Sequence, residues 1–444
     1  MNWVSRFRTG GHTPAATAPK ANPARGHKRS YAETLGRYAV FQQTVRNYPD
    51  GAETYYKRAI EADPRHARNL SNYAGFLLVV RHDIGGAETF YKRAVDADPN
   101  YGIALGGYAD FLYTIRHDPD AAEQYFKRAI ETDPADASNL GGYAVFLFSV
   151  RHDADTAQRY FERAMDVDPA NVRNIGNYAL FLDTVRLDHD AAETYYKRAI
   201  EVNPEHSYSL GNYALFLSNV RSDPDRAERY YQKAIEAEPD DAYYVGAYAA
   251  FLSNTRHDPD AAERYFKRAI EAEPASALNL GAYAAFLDHI RQDADGAETY
   301  YKRAIEADPD NSDNLGRYAI FLQGIRGAEK AETYYRRAIE ADTTEAVYVG
   351  NYAGLLLSDG RTDEGMRLLA RAREMDHRPD LALELAFYEY AHESDDGRRQ
   401  VGWRESGTCS RTTSDPQAPH LMGMWSRQEE KVIRSLISWR RLLK

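Results

Sequence analysis

YSLGNYALFLSNVRSDPDRAERYYQKAIEAEP, residues 208–239, holds one complete structural unit, and its reading decides the fold. In its first half Leu210, Tyr213, Ala214, Leu217 and Val220 recur at the spacing of one helical face. In its second half Ala227, Tyr230, Tyr231, Ala234 and Ile235 repeat that pattern. Between the halves, Asp223 is a good N-cap, and Pro224 suits a first helical position, where its missing N–H costs nothing. Pro239 cannot continue the second helix and disfavours helical geometry at Glu238. The stretch predicts helix A, a short loop, helix B and a proline stop.

The unit recurs. Pro64, Pro99, Pro134, Pro169, Pro204, Pro239, Pro274 and Pro309 are spaced by 35 residues, and so are the tyrosines from Tyr38 to Tyr318. Tyr352 follows after 34, because the loop near Gly327 is one residue shorter. Ten such units run from about Ala32 to Pro379. A helix of about 13 residues is marginal alone, and two of them leave an apolar face that only a neighbouring pair covers. Stacking answers both problems, so the expected fold is an all-α solenoid of about ten helix-turn-helix units. The 34 tyrosines, against 4 tryptophans, follow from the repeat and are expected to pack in its core.

The units resemble the tetratricopeptide repeat family. Ala87, Tyr91, Ala94 and Pro99 reproduce its second-helix pattern of small, aromatic, small and proline. In the first helix Leu70 stands where the family often has Trp, Tyr73 where it has Leu, Ala74 where it has Gly and Leu77 where it has Tyr. The resemblance implies a right-handed superhelix with helix A lining a concave groove, and a non-catalytic scaffold that binds a protein or an extended peptide there. The half-a-tetratricopeptide repeats of RNA-processing complexes look similar, and they give the alternative of an RNA-processing scaffold. They carry a Trp before the Tyr, where this chain has Leu, Ile or Val. A further alternative is the substrate-recruiting subunit of a separate enzyme.

With Leu210 and its equivalents numbered position 4, the groove side of helix A is expected at positions 2, 6, 9 and 13. Position 2 varies most: Glu33, Arg68, Ile103, Ser138, Arg173, Tyr208, Tyr243, Leu278, Asp313 and Val347. Position 6 includes Asn177 and Asn212, adjacent in the stack, which resemble a fragment of the asparagine ladder of some long superhelices. A side-chain amide both donates and accepts, so it pairs with any peptide backbone. Position 13 supplies Asn219, Asn254 and His289. Arg68, Arg173, Asn177, Tyr208, Asn212, Asn219, Tyr243, Asn254 and His289 are therefore the expected groove residues. The family's carboxylate clamp is absent, since position 5 is Gly in nine of ten units and Ser71 in the other. That glycine suggests close approach between helices, with inheritance by duplication as the alternative.

Other chemistry finds little support. His82, His117, His152 and His257 follow the arginine that ends helix A, and equivalent positions in stacked helices lie about 8–10 Å apart, too far for one metal ion. They read as helix-end loop residues. The recurring arginines, Arg46 through Arg326, are expected to pair with loop Asp or with helix B Glu such as Glu88 or Glu123. No phosphate-binding glycine loop is present, and Cys409, the single cysteine, has no placed base. No enzyme, metal or cofactor is expected.

The net charge of −11 is uneven. Residues 1–30 carry six basic residues and no acid, and residues 394–444 carry ten basic and six acidic residues, which leaves −21 for residues 31–393. A body that acidic repels nucleic acid, so no nucleic-acid partner is expected. Residues 1–30 read as a disordered basic arm, 31–379 as the solenoid, 380–393 as a capping helix and 394–424 as a linker. Residues 425–444 read as a basic amphipathic helix with Trp425, Val432, Leu436, Trp439 and Leu443 on one side, which suits a membrane surface, a partner groove or the solenoid itself. With no secretory apolar region, a cytoplasmic location is expected, the basic arm leaving organelle targeting as the alternative.

Overall fold

The computed structural model describes residues 28–325, 328–375 and 385. The expected basic arm before Lys28, the capping segment apart from Leu385, the linker and the C-terminal amphipathic helix lie outside these residues, as does Arg326. Twenty helices, α1 to α20, form ten antiparallel pairs, and the described residues contain no strand. Odd-numbered helices are the A helices and even-numbered ones the B helices, from α1 (Lys28–Thr44) and α2 (Pro49–Ala62) to α19 (Ala346–Ser358) and α20 (Thr362–Met375). The fold is the expected all-α solenoid of paired repeats. The chain divides into two compact units, Met1–Ala304 and Ile305–Lys444, with the division inside α16 (Ala294–Ala307).

The boundaries follow the local chemistry. Asp223 caps α12 (Pro224–Ala237), its Oδ1 accepting from the Arg226 N–H at 3.0 Å, with Pro224 at the start of the helix. Asp118 and Asp258 cap α6 (Pro119–Thr132) and α14 (Pro259–Ala272) in the same way. Glu238, before Pro239, leaves the helix with φ −136° and ψ 87°. One helix starts earlier than expected: α1 begins at Lys28, so the last residues assigned to the arm are helical.

Helix A ends by a wide turn. In unit two the Arg81 N–H bonds back to the Phe76 carbonyl and the Asp83 N–H to the Leu77 carbonyl. The residue between them, His82, has φ +54°. His117, His152, Leu187, Ser222, His257 and Gln292 occupy the same left-handed position in their units. This confirms the histidines as helix-end residues, and no group of three metal-ligating side chains exists among the described residues.

Packing between units explains the tyrosines. Tyr231 of α12 is fully buried, with its ring 5.6 Å from Tyr248 and 5.3 Å from Phe251 of the next A helix. Tyr230 meets Tyr213 edge-on at 4.8 Å within its own unit. Most other units repeat both contacts, as in Phe126–Tyr143, Phe126–Phe146 and Tyr143–Tyr160.

Polar contacts repeat too. Arg81 bonds Glu53 at 2.7 Å and Asp50 at 2.6 Å, both on the B helix of the preceding unit. Arg116 pairs with Glu88, and Arg151 with Glu123 and Asp120, as expected from the sequence. The Tyr143 hydroxyl bonds the same Glu123. Lys57 and Lys127, one turn along α2 and α6, complete the sites at Glu53 and Glu123.

Candidate binding face on the A helices

The N-terminal halves of the A helices carry an inner row and an outer row. The inner row is position 3. Asn69, Asn139, Asn174 and Asn279 are buried, and each donates from Nδ2 to a carbonyl of the preceding A helix: Ala32, Gly102, Ala137 and Ala242, at 2.7–3.1 Å. Tyr244 fills the same position with its hydroxyl on the Tyr208 carbonyl at 3.2 Å. This row explains the glycine at position 5. A Cβ on Gly36, Gly141 or Gly246 would lie 2.0 Å from the Oδ1 of Asn69, Asn174 or Asn279, and one on Gly211 would lie 2.2 Å from the Tyr244 ring. Close approach, the first of the two sequence-based readings, accounts for the glycine. The one unit with Ser71 at position 5 is followed by Ala104 at position 3, the small residue the serine requires.

The buried asparagine row was missed in the sequence. Its signal was present as Asn recurring at multiples of 35 residues, one residue before the position-4 apolar residue, but position 3 was not assigned to any face.

The outer row is position 2. Ile103, Tyr243 and Leu278 are exposed at 46%, 45% and 55%, unlike the buried apolar residues of position 4 beneath them. Arg68 is exposed, and its Nε donates to the Tyr101 hydroxyl at 3.2 Å while Glu33 lies at 3.7 Å. Arg173 and Tyr208 are half-buried. Burial lowers the pKa of the Arg173 guanidinium, with Asp136 pulling it back. Burial raises the Tyr208 phenol to about 12, opposed by the amide of Asn212.

At position 6, Asn177 is half-buried and Asn212 is buried. Asn212 lies beside Tyr208 without a geometrically formed hydrogen bond from its Nδ2. The other three sequence-predicted residues are exposed: Asn219 in the last turn of α11 (Ser207–Asn219), and Asn254 and His289 in the π-helical turns Leu252–Arg256 and Leu287–Arg291 that follow α13 (Ala242–Phe251) and α15 (Ala277–Phe286). The hydroxyls sharing their position, Thr44, Thr114, Ser149 and Thr184, bond carbonyls of their own helices at i−4. The predicted residues thus form two groups along helix A: Arg68, Arg173, Asn177, Tyr208, Asn212 and Tyr243 toward its start, and Asn219, Asn254 and His289 at its end.

One polar pair near this face was not anticipated. His189 Nδ1 lies 3.0 Å from Asp183 Oδ1, and burial raises the Asp183 carboxyl while His189 pulls it down.

Tetratricopeptide repeat models match residues 42–101, 77–137, 255–312 and 188–206, and the Sel1 repeat matches 137–166, 207–238 and 314–342. The chain is a tetratricopeptide-like helical repeat protein, built as an interaction scaffold. No curated protein matches it. Among solved structures, a monomeric IFIT1 mutant with m7Gppp-AAAA is similar at 14% identity and TM-score 0.50, over 77% of this chain and 81% of that one. Yeast Tom70 is similar at 18% identity and TM-score 0.44, over 94% and 96%. YrrB, a protein described as having an unusual peptide-binding site, is similar at 20% identity and TM-score 0.29, over 43% and 96%. At these identities the likeness concerns the fold. No helix among the described residues is long and apolar enough to cross a membrane.

Proposed function

We propose that the chain is a non-catalytic scaffold that binds an extended peptide, or a peptide-like segment of a partner protein, along the outer row of its A helices between Arg68 and Leu278. The observation that carries this reading is the exposure of position 2. From unit two to unit eight, position 4 is a buried apolar residue and position 3 is buried, so neither is presented to a ligand. Position 2 holds Arg, Ile, Ser, Tyr and Leu in turn and leaves large side chains in solvent. Tyrosine and arginine, which this row supplies at Arg68, Arg173, Tyr208 and Tyr243, are among the residue types that dominate binding energy at protein interfaces. The exposed amides of Asn219 and Asn254 lie at the far end of the same helices and suit a peptide backbone.

The test is affinity selection of short peptides by the full chain, followed by the triple variant Arg173→Ala, Tyr208→Ala, Tyr243→Ala. The expected result is a selected peptide family whose binding falls at least about tenfold in the variant, as truncating hot-spot residues does. Selected peptides that bind the variant unchanged overturn the reading.

A further inference from the structure

Several arginines of the A helices are paired, as Arg37 is with Glu33 and Arg317 with Asp313, and Arg173 is not. Its counterpart Arg68 has two partners: the Tyr101 hydroxyl, at the cap position of the next unit, and Glu33, at position 2 of the unit before. At Arg173 both are replaced. The cap position of the next unit is His206, and position 2 of the preceding unit is Ser138. The nearest carboxylate in electrostatic reach, Asp136, is occupied in capping α7 (Ala137–Ser149), where it accepts from the Ser138 and Asn139 N–H groups at 2.9 and 3.0 Å. Arg173 makes no ion pair among the described residues.

The groups around it are donors as well. His206 is 8% exposed, and its Nδ1 lies 2.8 Å from the Ser209 hydroxyl. Assigning the tautomer from that contact, with Ser209 donating, puts the ring proton on Nε2. That Nε2 is buried without a partner, and Nδ2 of Asn212, which is 7% exposed, has only the Tyr208 hydroxyl beside it. The Tyr208 ring stands edge-on to His206 at 6.1 Å, within electrostatic reach of Arg173 and Tyr243. Buried polar groups left unpaired cost stability. Here they share one polarity beside one unpaired cation, which is how a site for an anionic oxygen group is built.

We infer that Arg173, His206, Tyr208 and Asn212 form a subsite for a single anionic side chain, carboxylate or phosphate, on the peptide bound to the A-helix face, with the Tyr243 ring at its solvent edge. This rests on the function proposed above. The surrounding acidity selects against a polyanion. Residues 31–393 carry −21, a field that repels a nucleic acid strand over its whole length, whereas one anionic group is screened within about 8 Å at physiological salt.

The test uses the full chain and short peptide sub-libraries that differ only in one fixed central residue: Glu, phosphoserine, Gln or Lys. A 5′-phosphorylated single-stranded RNA is run beside them. The Glu or the phosphoserine sub-library is expected to bind about tenfold or more tighter than Gln, the worth of a charge-assisted hydrogen bond, and the stronger of the two names the group. Arg173→Gln is expected to erase that preference, while Arg229→Gln, exposed on α12, keeps it. The thermal midpoint of Arg173→Gln is expected to stay level or rise, since no ion pair is lost, whereas a purely structural role lowers it. Peptide binding without acidic preference, or a preference that survives Arg173→Gln, overturns the subsite and leaves the peptide-binding face standing. RNA bound in preference to every peptide, or no binding by any sub-library, overturns both.

Discussion

Arg221 reaches from the end of one A helix to Glu193 on the B helix of the unit before it, Nε to Oε2 at 2.9 Å. The same guanidinium bonds Asp190 and lies 5.3 Å over the Phe216 ring. Glu193 is also held by Lys197 and by the Tyr213 hydroxyl. One carboxylate therefore joins two helix pairs, and the arrangement recurs at Glu53, Glu123, Glu228 and Glu263. Such a contact fixes the offset between successive units, which apolar packing of near-identical faces specifies less sharply.

The junction is pH-dependent. Burial raises the Glu193 carboxyl, but Lys197, Tyr213 and Arg221 outweigh it, and the pKa falls from 4.5 to about 2. A carboxyl depressed on folding stabilises the native state above its ordinary pKa, and that contribution is lost as pH falls through the folded value. Glu193→Gln is therefore expected to lower the thermal midpoint at neutral pH by roughly 2 °C, a modest amount for a solvent-facing pair. The difference should shrink as pH drops from 4.5 toward 2. Gln158 already occupies this place opposite Arg186 with a 2.9 Å hydrogen bond, so the variant keeps the geometry. A midpoint difference independent of pH refutes the electrostatic account.

The glycine at position 5 and the residue at position 3 of the next unit form a volume pair. Gly246→Ser places a Cβ 2.0 Å from Asn279 Oδ1 and is expected to cost about 1–3 kcal/mol through overpacking. Asn279→Ala loses the bond to the Ala242 carbonyl and costs about 1–3 kcal/mol. The double variant recreates the native Ser71 and Ala104 combination. Denaturant melts of the four proteins should give a favourable coupling of at least about 1 kcal/mol. Additive losses contradict the pairing.

Much of this was legible in the sequence, because helix periodicity, the Asp-Pro starts and the proline stops are local signals repeated in phase. Arg116–Glu88 and Arg151–Glu123 could be anticipated, since long side chains at fixed offsets from two helix ends have few other partners. The inner row shows in the sequence as a recurring Asn, but the recurrence does not say which face it occupies. Asn139 and Asn177 look alike in sequence, each polar and near the start of an A helix, yet Asn139 is bonded beneath the neighbouring helix and Asn177 is half-exposed. The difference lies in the inter-unit offset, a long-range property that no window within one unit contains. His206 was overlooked for the same reason: its significance depends on Arg173, 33 residues earlier.

The left-handed residue after each helix-ending arginine gives a stability prediction of opposite sign. His117 has φ +54°, a conformation that costs a residue with a Cβ about 1 kcal/mol relative to glycine. His117→Gly is expected to raise stability by up to about 1 kcal/mol, less the extra entropy glycine adds to the unfolded chain. A chemical-denaturation midpoint that falls instead would show that the imidazole makes a contact worth more than the backbone strain.

His206 combines burial and a nearby cation. Burial first, and Arg173 second, depress its pKa from 6.5 to about 4. The folded protein holds the ring neutral while the unfolded chain protonates it below 6.5, so stability is greatest above that value and declines as pH falls toward 4. For this buried ring the loss is about 3 kcal/mol across that window. His206→Asn installs the residue that unit five uses at the same cap, Asn171, whose Oδ1 accepts from the Asn174 N–H at 3.2 Å. That variant should fold normally and show a flatter stability profile between pH 6.5 and 4. Adding Arg173→Gln to the native His206 should move the midpoint of the decline to higher pH, because it removes the cation that opposes protonation. A profile that ignores both substitutions would mean that His206 is solvated in solution, and that the donor cluster on this face is not formed as described.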